Sequence, residues 1–475
     1  MLFRHSSIYL LAKFIPGLIA LAALSLYTHL LSPAEYGTYT LMTSAAALFH
    51  SILYNWLYAG TLRFWANDKY SDATFTNTLV NNYGKISLIL LFITVLIVIS
   101  NAWIGGKLET KWIVATYFLL LAIAVFTISQ NIYTVKLEPL KFAYMGISFS
   151  LLSLILGGLF AYLGFSSTGV VAGITLGMII PMIFTFKGMW LPYQKEKVNK
   201  ELIKDLVTYG IPFASIALIE EVTKVSDRFM LSWLQDTSQA GLYTVGYDLS
   251  GYSILMIMTA ITLASYPVIV KLLEEEGKKV AMDYFRQYSI LLIGITVPAV
   301  IGLNLIGADL VYLLIDDEFQ SSVIFLLPWI TLAVFAMGLQ SSYFDVAFQL
   351  GHCLHVVVKI SIFVGIINLI LNYWLIPTMG INGAAIATLS SFVLGSLLSA
   401  VLGKKCFILP YPIKEFLKIL ISSLVMGFCL WWLKDMRGWG WLILQLAIGI
   451  SSYAVMLILF NILDIRTHIK QYLSK

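Results

Sequence analysis

The chain has 475 residues, of which 59% are hydrophobic and 12% charged, with a mean hydropathy of +0.87. A soluble domain carries about 25% charged residues, so this composition excludes a water-soluble fold and fits an integral membrane protein. The net charge of +5 follows from a loop bias described below and calls for no nucleic-acid partner.

A bilayer core about 30 Å thick takes about 20 apolar residues per helical crossing. Turn residues and charges divide the chain into about fourteen candidate spans. In order they cover 8–31, 37–60, 84–103, 112–134, 143–164, 168–188, 209–234, 241–265, 287–307, 323–348, 355–376, 380–402, 415–433 and 440–461. The start, "MLFRHSSIYLLAKF", has a basic end and then an apolar run to Leu31 without a small-residue cleavage site. It reads as a retained first span rather than a removed signal peptide. The polar stretch "PYQKEKVNKELIKDL" (Pro192 to Leu206) reads as a cytoplasmic connector between the sixth and seventh spans. The expected organisation is all-α: a six-helix bundle over 1–190, a linker over 191–208, a second six-helix bundle over 209–402, and two additional transmembrane helices within 403–475.

An even number of spans puts both termini on one side. With that side cytoplasmic, only Lys107, Lys111, Lys434 and Arg437 of the 30 Lys and Arg fall outside, while Lys224 and Arg228 lie within the seventh span. That asymmetry is a strong positive-inside signal. The longest outer loop, "GADLVYLLIDDEFQSS", carries Asp309, Asp316, Asp317 and Glu318 and reads as solvated surface. No loop is long enough to hold a catalytic domain. Cys353, Cys406 and Cys429 are widely spaced and read as packed thiols with neither bridge nor metal. His29, His352 and His355 sit near span ends as interfacial polar residues.

The chain repeats itself. "EYGTYTL" (Glu35 to Leu41) resembles "QAGLYTV" (Gln239 to Val245), and "TGVVAGITL" (Thr168 to Leu176) resembles "NGAAIATLS" (Asn382 to Ser390). Six spans return a chain to its starting side, so two six-span halves share one orientation. Parallel repeats of this kind occur in secondary transporters, whose substrate sites lie between the halves.

The stretch "IEEVTKVSDRF" (Ile219 to Phe229) places five charges within the seventh span: Glu220, Glu221, Lys224, Asp227 and Arg228. At 3.6 residues per turn all five fall within about 120° of arc, with Leu218, Val222, Val225 and Phe229 opposite. A charge at the bilayer centre costs about 2.5–3.5 kcal/mol even on the lenient insertion scale. Two readings remain open: an internal salt-bridge network, using Glu220–Lys224 at i,i+4 and Glu221–Lys224 at i,i+3, or the lining of a wet pathway.

"LSPAEYGTYTL", "LRFWAND", "SDRFMLSWL", "AGLYTVGYDL" and "LNYWLIPTMGINGAAIATL" together resemble signatures of polysaccharide-repeat-unit (O-antigen, Wzx-type) flippases. These belong to the multidrug/oligosaccharidyl-lipid/polysaccharide exporter superfamily. The resemblance covers about residues 8 to 460. It implies a non-enzymatic transporter of the bacterial inner membrane in which two six-helix bundles face a central cavity. By alternating access it would move undecaprenyl-pyrophosphate-linked oligosaccharide from the inner to the outer leaflet for O-antigen, lipopolysaccharide, capsule or exopolysaccharide synthesis. Membrane lipids, a polysaccharide polymerase with its chain-length machinery, and H+ or Na+ are the implied partners, with no cofactor.

On that reading Lys224 and Arg228, with Arg63 at the end of the second span, are candidates for the substrate pyrophosphate. Glu220 and Glu221, adjacent carboxylates in a low dielectric, are candidates for proton or ion coupling, together with Asp227, Asp248 and Asp345. A cation-coupled multidrug exporter of the same superfamily is the alternative, with Lys224 and Arg228 against it. A membrane glycan polymerase or glycosyltransferase is a further one, for which only "IDDEF" speaks.

Overall fold

The structure is a computed structural model and describes residues 2–65, 70–106, 109–190, 199–434, 436–462 and 466. Regular structure among these residues is helical throughout, which is what a bilayer imposes on a chain that must satisfy its own backbone. Ten helical stretches among them are long and apolar enough to cross a membrane, so the protein is a multi-pass membrane protein. One stretch, Pro139–Thr185, has 47 residues. At 1.5 Å per residue it would run about 70 Å, more than twice a bilayer core. It is in fact two helices, α6 (Pro139–Phe160) and α7 (Ser166–Trp190), folded back at a π turn (Ala161–Phe165). Gly164 (φ 89°) and Ser166 (φ 52°) make the reversal.

The chain divides into two compact units, Met1–Gly241 and Leu242–Lys475. The first holds α1 (Leu2–Leu30), α2 (Pro33–Leu53), α3 (Asn55–Phe64), α4 (Asp72–Ile104), α5 (Thr110–Val135), α6, α7, α8 (Lys200–Leu234) and the start of α9 (Thr237–Ser250). Its core gathers Tyr54, Leu57, Phe75, Leu119, Ile128 and Ile132. The "SPAE" of the first signature is a capping box. The Ser32 backbone N–H donates to Glu35 Oε2 (2.9 Å), and the Glu35 backbone N–H donates to Ser32 Oγ (3.4 Å). The second Glu35 oxygen accepts from Ser166 Oγ at 2.6 Å, so one carboxylate ties the head of α2 to the head of α7. Burial alone would raise the Glu35 pKa, but the hydrogen bonds from Ser166 and Ser32 outweigh it and hold the carboxyl below its ordinary value.

The repeated motif has a packing reason. A Cβ on Gly37 would stand 1.9 Å from the Thr237 carbonyl oxygen, and one on Gly241 2.2 Å from that of Pro33. The heads of α2 and α9 therefore cross backbone against backbone, with each motif supplying one bare glycine.

The sequence grouped the seventh span with the second bundle; in the structure α8 packs on α2 and α3 of the first unit. A Cβ on Gly210 would lie 2.2 Å from the Trp56 carbonyl oxygen, and one on Gly60 would lie 2.4 Å from Leu206 Cδ2. This close approach fixes the α3–α8 register, and the compact unit that holds both helices runs to Gly241.

The second unit holds the rest of α9, then α10 (Met256–Glu275), α11 (Lys278–Leu314), α12 (Asp317–Leu339), α13 (Val346–Leu350), α14 (Leu354–Met379), α15 (Ile381–Cys406), α16 (Ile413–Trp431) and α17 (Trp439–Leu459). The last two helices dock on α11 through Ile419, Met426, Leu430 and Leu442. Asp309, read from the sequence as solvated, is instead buried at 3% exposure. Gln445 on α17 donates to Asp309 Oδ2 and to the Leu433 carbonyl, both at 2.9 Å. The outer acidic run is thus split: Asp316 caps α12 through the Glu318 N–H, while Asp309 fastens the final hairpin. Gln445→Leu would strip a buried acceptor of its donor, which costs about 1–3 kcal/mol or more for a charged group. The expected result is a melting temperature several degrees lower in detergent, without loss of membrane insertion.

Candidate functional site: the charged face of helix α8

Helix α8 starts on Asn199, whose Oδ1 accepts from the Glu201 and Leu202 backbone N–H groups at 2.9 and 3.1 Å. Its thirty-five residues continue past Pro212 to Leu234. Glu220 and Glu221 stand roughly 15–20 Å from either end of the apolar stretch 209–234. The five charges separate by environment. Asp227 is buried at 2% exposure, beside buried Thr223, Val225 and Ser226. Arg228 is half-buried, and its Nη1 donates to Ser44 Oγ on α2 at 3.2 Å. Glu221 is half-buried, and Glu220 and Lys224 are exposed.

Among the described residues, none lies within hydrogen-bonding or ion-pairing distance of Glu220, Glu221 or Lys224. The Glu220–Lys224 and Glu221–Lys224 pairs that the helical spacing permits are not closed. Asp227 and Arg228 have turned to the protein side of the arc, and the remaining three leave one ammonium and two carboxylates uncommitted along one stripe. Against lipid that arrangement would carry the full insertion cost three times over. Against water it carries almost none and leaves a cation available to an anionic group.

The other predicted residues lie elsewhere. Arg63 is exposed in the last turn of α3. Since Gly60 faces Leu206, about 30 Å of α8 separates the level of Arg63 from that of Lys224, and the structure does not bring the two together. Around the Arg63 end, Phe64 packs edge-on to Tyr209 (5.6 Å), Tyr70 donates to Asp205 Oδ2 (2.7 Å), and Lys136 pairs with Asp72 (3.4 Å) under Trp65.

Asp248 and Asp345 belong to the second unit, and each adjoins a π turn: Gly251–Leu255 follows Asp248, and Gln340–Phe344 precedes Asp345. Such turns often mark functional positions. Asp345 is buried at 7% exposure and accepts from Ser399 Oγ at 2.7 Å.

Sequence reasoning passed over His50. It lies on α2 with its ring stacked on Tyr54 (centroids 6.3 Å apart), and its Nε2 is buried with no hydrogen-bond partner. Tyr54 in turn shares a 3.0 Å hydrogen bond with Ser87 on α4. The signal was a single ionisable residue inside the apolar "AALFHSILY".

A polysaccharide biosynthesis protein family profile matches residues 2–273, which takes in α1 through most of α10 and therefore all of α8. A probable flippase, AglR, of Haloferax volcanii is 28% identical over 257 residues, 52% of this chain and 52% of the relative; the match thus spans about half the length of that protein. Among solved structures, an inward closed conformation of the lipid II flippase MurJ superposes with TM-score 0.75 at 17% identity, covering 95% of this chain and 98% of MurJ. An outward-facing multidrug resistance MATE family transporter superposes with TM-score 0.58 at 17% identity, covering 85% and 94%. A MOP superfamily transporter from Pyrococcus furiosus, described as having a binding pocket of reverse polarity, gives TM-score 0.58 at 16% identity over 85% and 94%. These likenesses show that the chain shares the fold of MurJ and the MATE transporters. By the profile that spans more than half its length, the chain belongs to the polysaccharide biosynthesis protein family.

Proposed function

We propose that this protein is a lipid-linked oligosaccharide flippase. It moves undecaprenyl-pyrophosphate-linked repeat units from the inner to the outer leaflet of the bacterial inner membrane by alternating access, with no chemical step. Fourteen crossings in two six-helix bundles plus two helices, with both termini cytoplasmic, fit the loop charges. The repeat units would pass to a polymerase and its chain-length machinery for O-antigen, capsule or exopolysaccharide. One observation carries the reading: a polysaccharide-family chain holds Glu220, Glu221 and Lys224 uncommitted in the middle of an apolar helix. Charges in that position are stable only beside water, so α8 borders a wet path. On that path Lys224 meets the pyrophosphate, with Arg228 behind it and Arg63 as a separate loading contact.

Glu220 and Glu221 provide coupling to H+ or Na+, with Asp227, Asp248 and Asp345 as further candidate carboxylates. In proteoliposomes, transport should depend on an imposed pH gradient, and Glu220→Gln with Glu221→Gln should remove that dependence. If the gradient response persists in the double variant, the two residues are not the coupling site.

The superfamily fold also accommodates a cation-coupled multidrug exporter, and the MATE likeness favours that second reading. Accumulation of lipid-linked repeat units on deletion of the gene supports the flippase. Drug sensitivity without such accumulation supports the exporter.

A further inference from the structure

Cys353 and Cys406 lie far apart in the sequence, but the fold brings them together. Helices α14 and α15 each have 26 residues and fold back on one another at Gly380, whose φ of 56° and ψ of −132° lie where glycine is favoured. Equal lengths bring the free ends level. Cys353 immediately precedes α14, and Cys406 is the last residue of α15. The Cys353 and Cys406 side chains interact with one another, and Cys353 Sγ donates to the Gly351 carbonyl at 3.3 Å. A Cβ on Gly351 would touch Cys406 Cβ at 2.9 Å, so the two backbones themselves approach closely. Both cysteines pack against Phe348, Ile360 and Val364, and both stay half-buried rather than sealed.

In the turn just before Cys353, His352 holds φ at 55°, a left-handed conformation in which histidine, asparagine and aspartate are enriched. Exposed Lys404 and Lys405 precede Cys406. Two cations beside a thiol favour the approach of an anionic reagent.

We propose that Cys353 and Cys406 are a modification site: a dithiol that closes reversibly into a disulfide by exchange with an anionic low-molecular-weight disulfide of the glutathione type. One thiol gives up its proton to solvent, and its thiolate attacks the reagent, forming a mixed disulfide and expelling one reagent thiolate. The second thiol, also deprotonated, attacks the protein sulfur of that mixed disulfide and expels the other. Two protein thiols are oxidised, the reagent's S–S bond is reduced to two thiols, and the released protons balance the two leaving thiolates. The product joins the open end of the α14–α15 hairpin opposite Gly380, so that the two helices form a closed ring and cannot splay at their lysine-rich end.

The test uses the purified full-length chain in lipid nanodiscs, incubated with glutathione disulfide. Free thiols are then counted by maleimide–polyethylene glycol gel shift, and digests are read by mass spectrometry. Two of the three thiols should disappear together, a peptide linking 353 to 406 should be recovered, Cys429 on α16 should stay labelled, and dithiothreitol should restore both thiols. In Cys353→Ser the linked peptide should vanish, and Cys406 should stop at the mixed disulfide or remain free. Stable mixed disulfides at both positions of the unaltered chain, retention of all three thiols, or reaction of Cys429 ahead of the pair would each overturn the proposal. The measurement on the unaltered chain decides the matter even if the variant folds poorly.

Discussion

Lys224→Ala is expected to cut surface glycan output at least tenfold while the protein accumulates in the membrane at its normal level. The two halves of that result have separate causes. Lys224 is exposed and has no partner among the described residues, so its removal leaves no buried group unsatisfied and no packed volume empty. On the proposed function, what is lost is a charge-assisted contact to phosphate, worth about 1.5–3 kcal/mol, or about ten- to a hundredfold in affinity. The measurement is complementation of a deletion strain, with lipid-linked repeat units, surface glycan and membrane-inserted protein quantified together. Lys224→Arg keeps the charge and should retain much of the output, whereas Lys224→Glu should be as defective as alanine or worse. Arg228→Ala is a less clean test, because it also breaks the hydrogen bond to Ser44 on α2 and so mixes packing with recognition. Normal glycan from Lys224→Ala, at normal expression, would remove this residue from the substrate path.

The largest stability effect should come from Gly241→Leu. The nearest atoms to the missing Cβ are backbone, the Pro33 carbonyl oxygen at 2.2 Å and the Gly37 nitrogen at 2.8 Å. No side-chain rotation can clear them, and the heads of α2 and α9 would have to separate. Overpacking against flexible side chains costs typically 1–3 kcal/mol. Backbone against backbone should exceed about 3 kcal/mol, in the range tied to outright structural failure. Gly37→Ala should show the same defect from the other side, since its Cβ would meet the Thr237 carbonyl. Gly84→Ala, with nothing within 4 Å, is the control that should melt like the unaltered chain. Thermal unfolding in detergent separates the three, and an unshifted Gly241→Leu would mean that the crossing is not as close as described.

Much of the architecture could be read without coordinates, because a bilayer leaves so few options. Apolar length and loop charge mark helices by solvent demand alone, and the apolar segments read from the sequence are mostly helical, although the second is broken at Tyr54 and the tenth at Asp345. The position of α8 could not be read that way. Hydrophobicity says that a helix meets lipid or protein but not which neighbour, and the deciding contacts, Gly210 on Trp56 and Gly60 on Leu206, involve residues with no side chain or an ordinary one.

The sequence left the pairing within the charged stretch open. A helical wheel treats Asp227 and Lys224 as neighbours on one arc, whereas the packed helices bury Asp227 and leave Lys224 out. Asp309 was misread for a similar reason, since its partner Gln445 enters from a helix more than a hundred residues away. The dithiol was invisible for the same cause: only two helices of equal length, reversed at one glycine, make positions 353 and 406 neighbours.

The crossing of α2 and α9 bears on how this chain can change over time. Each copy of the repeated motif is the ceiling under which the other copy's glycine must fit. A larger residue gained in one copy has no compensating substitution in the other, because the obstruction is main chain and cannot be trimmed. The pair is therefore expected to be inherited as a unit, frozen at two positions while the helices around them drift, and any relative that has lost one glycine should have rebuilt the path of the opposing backbone.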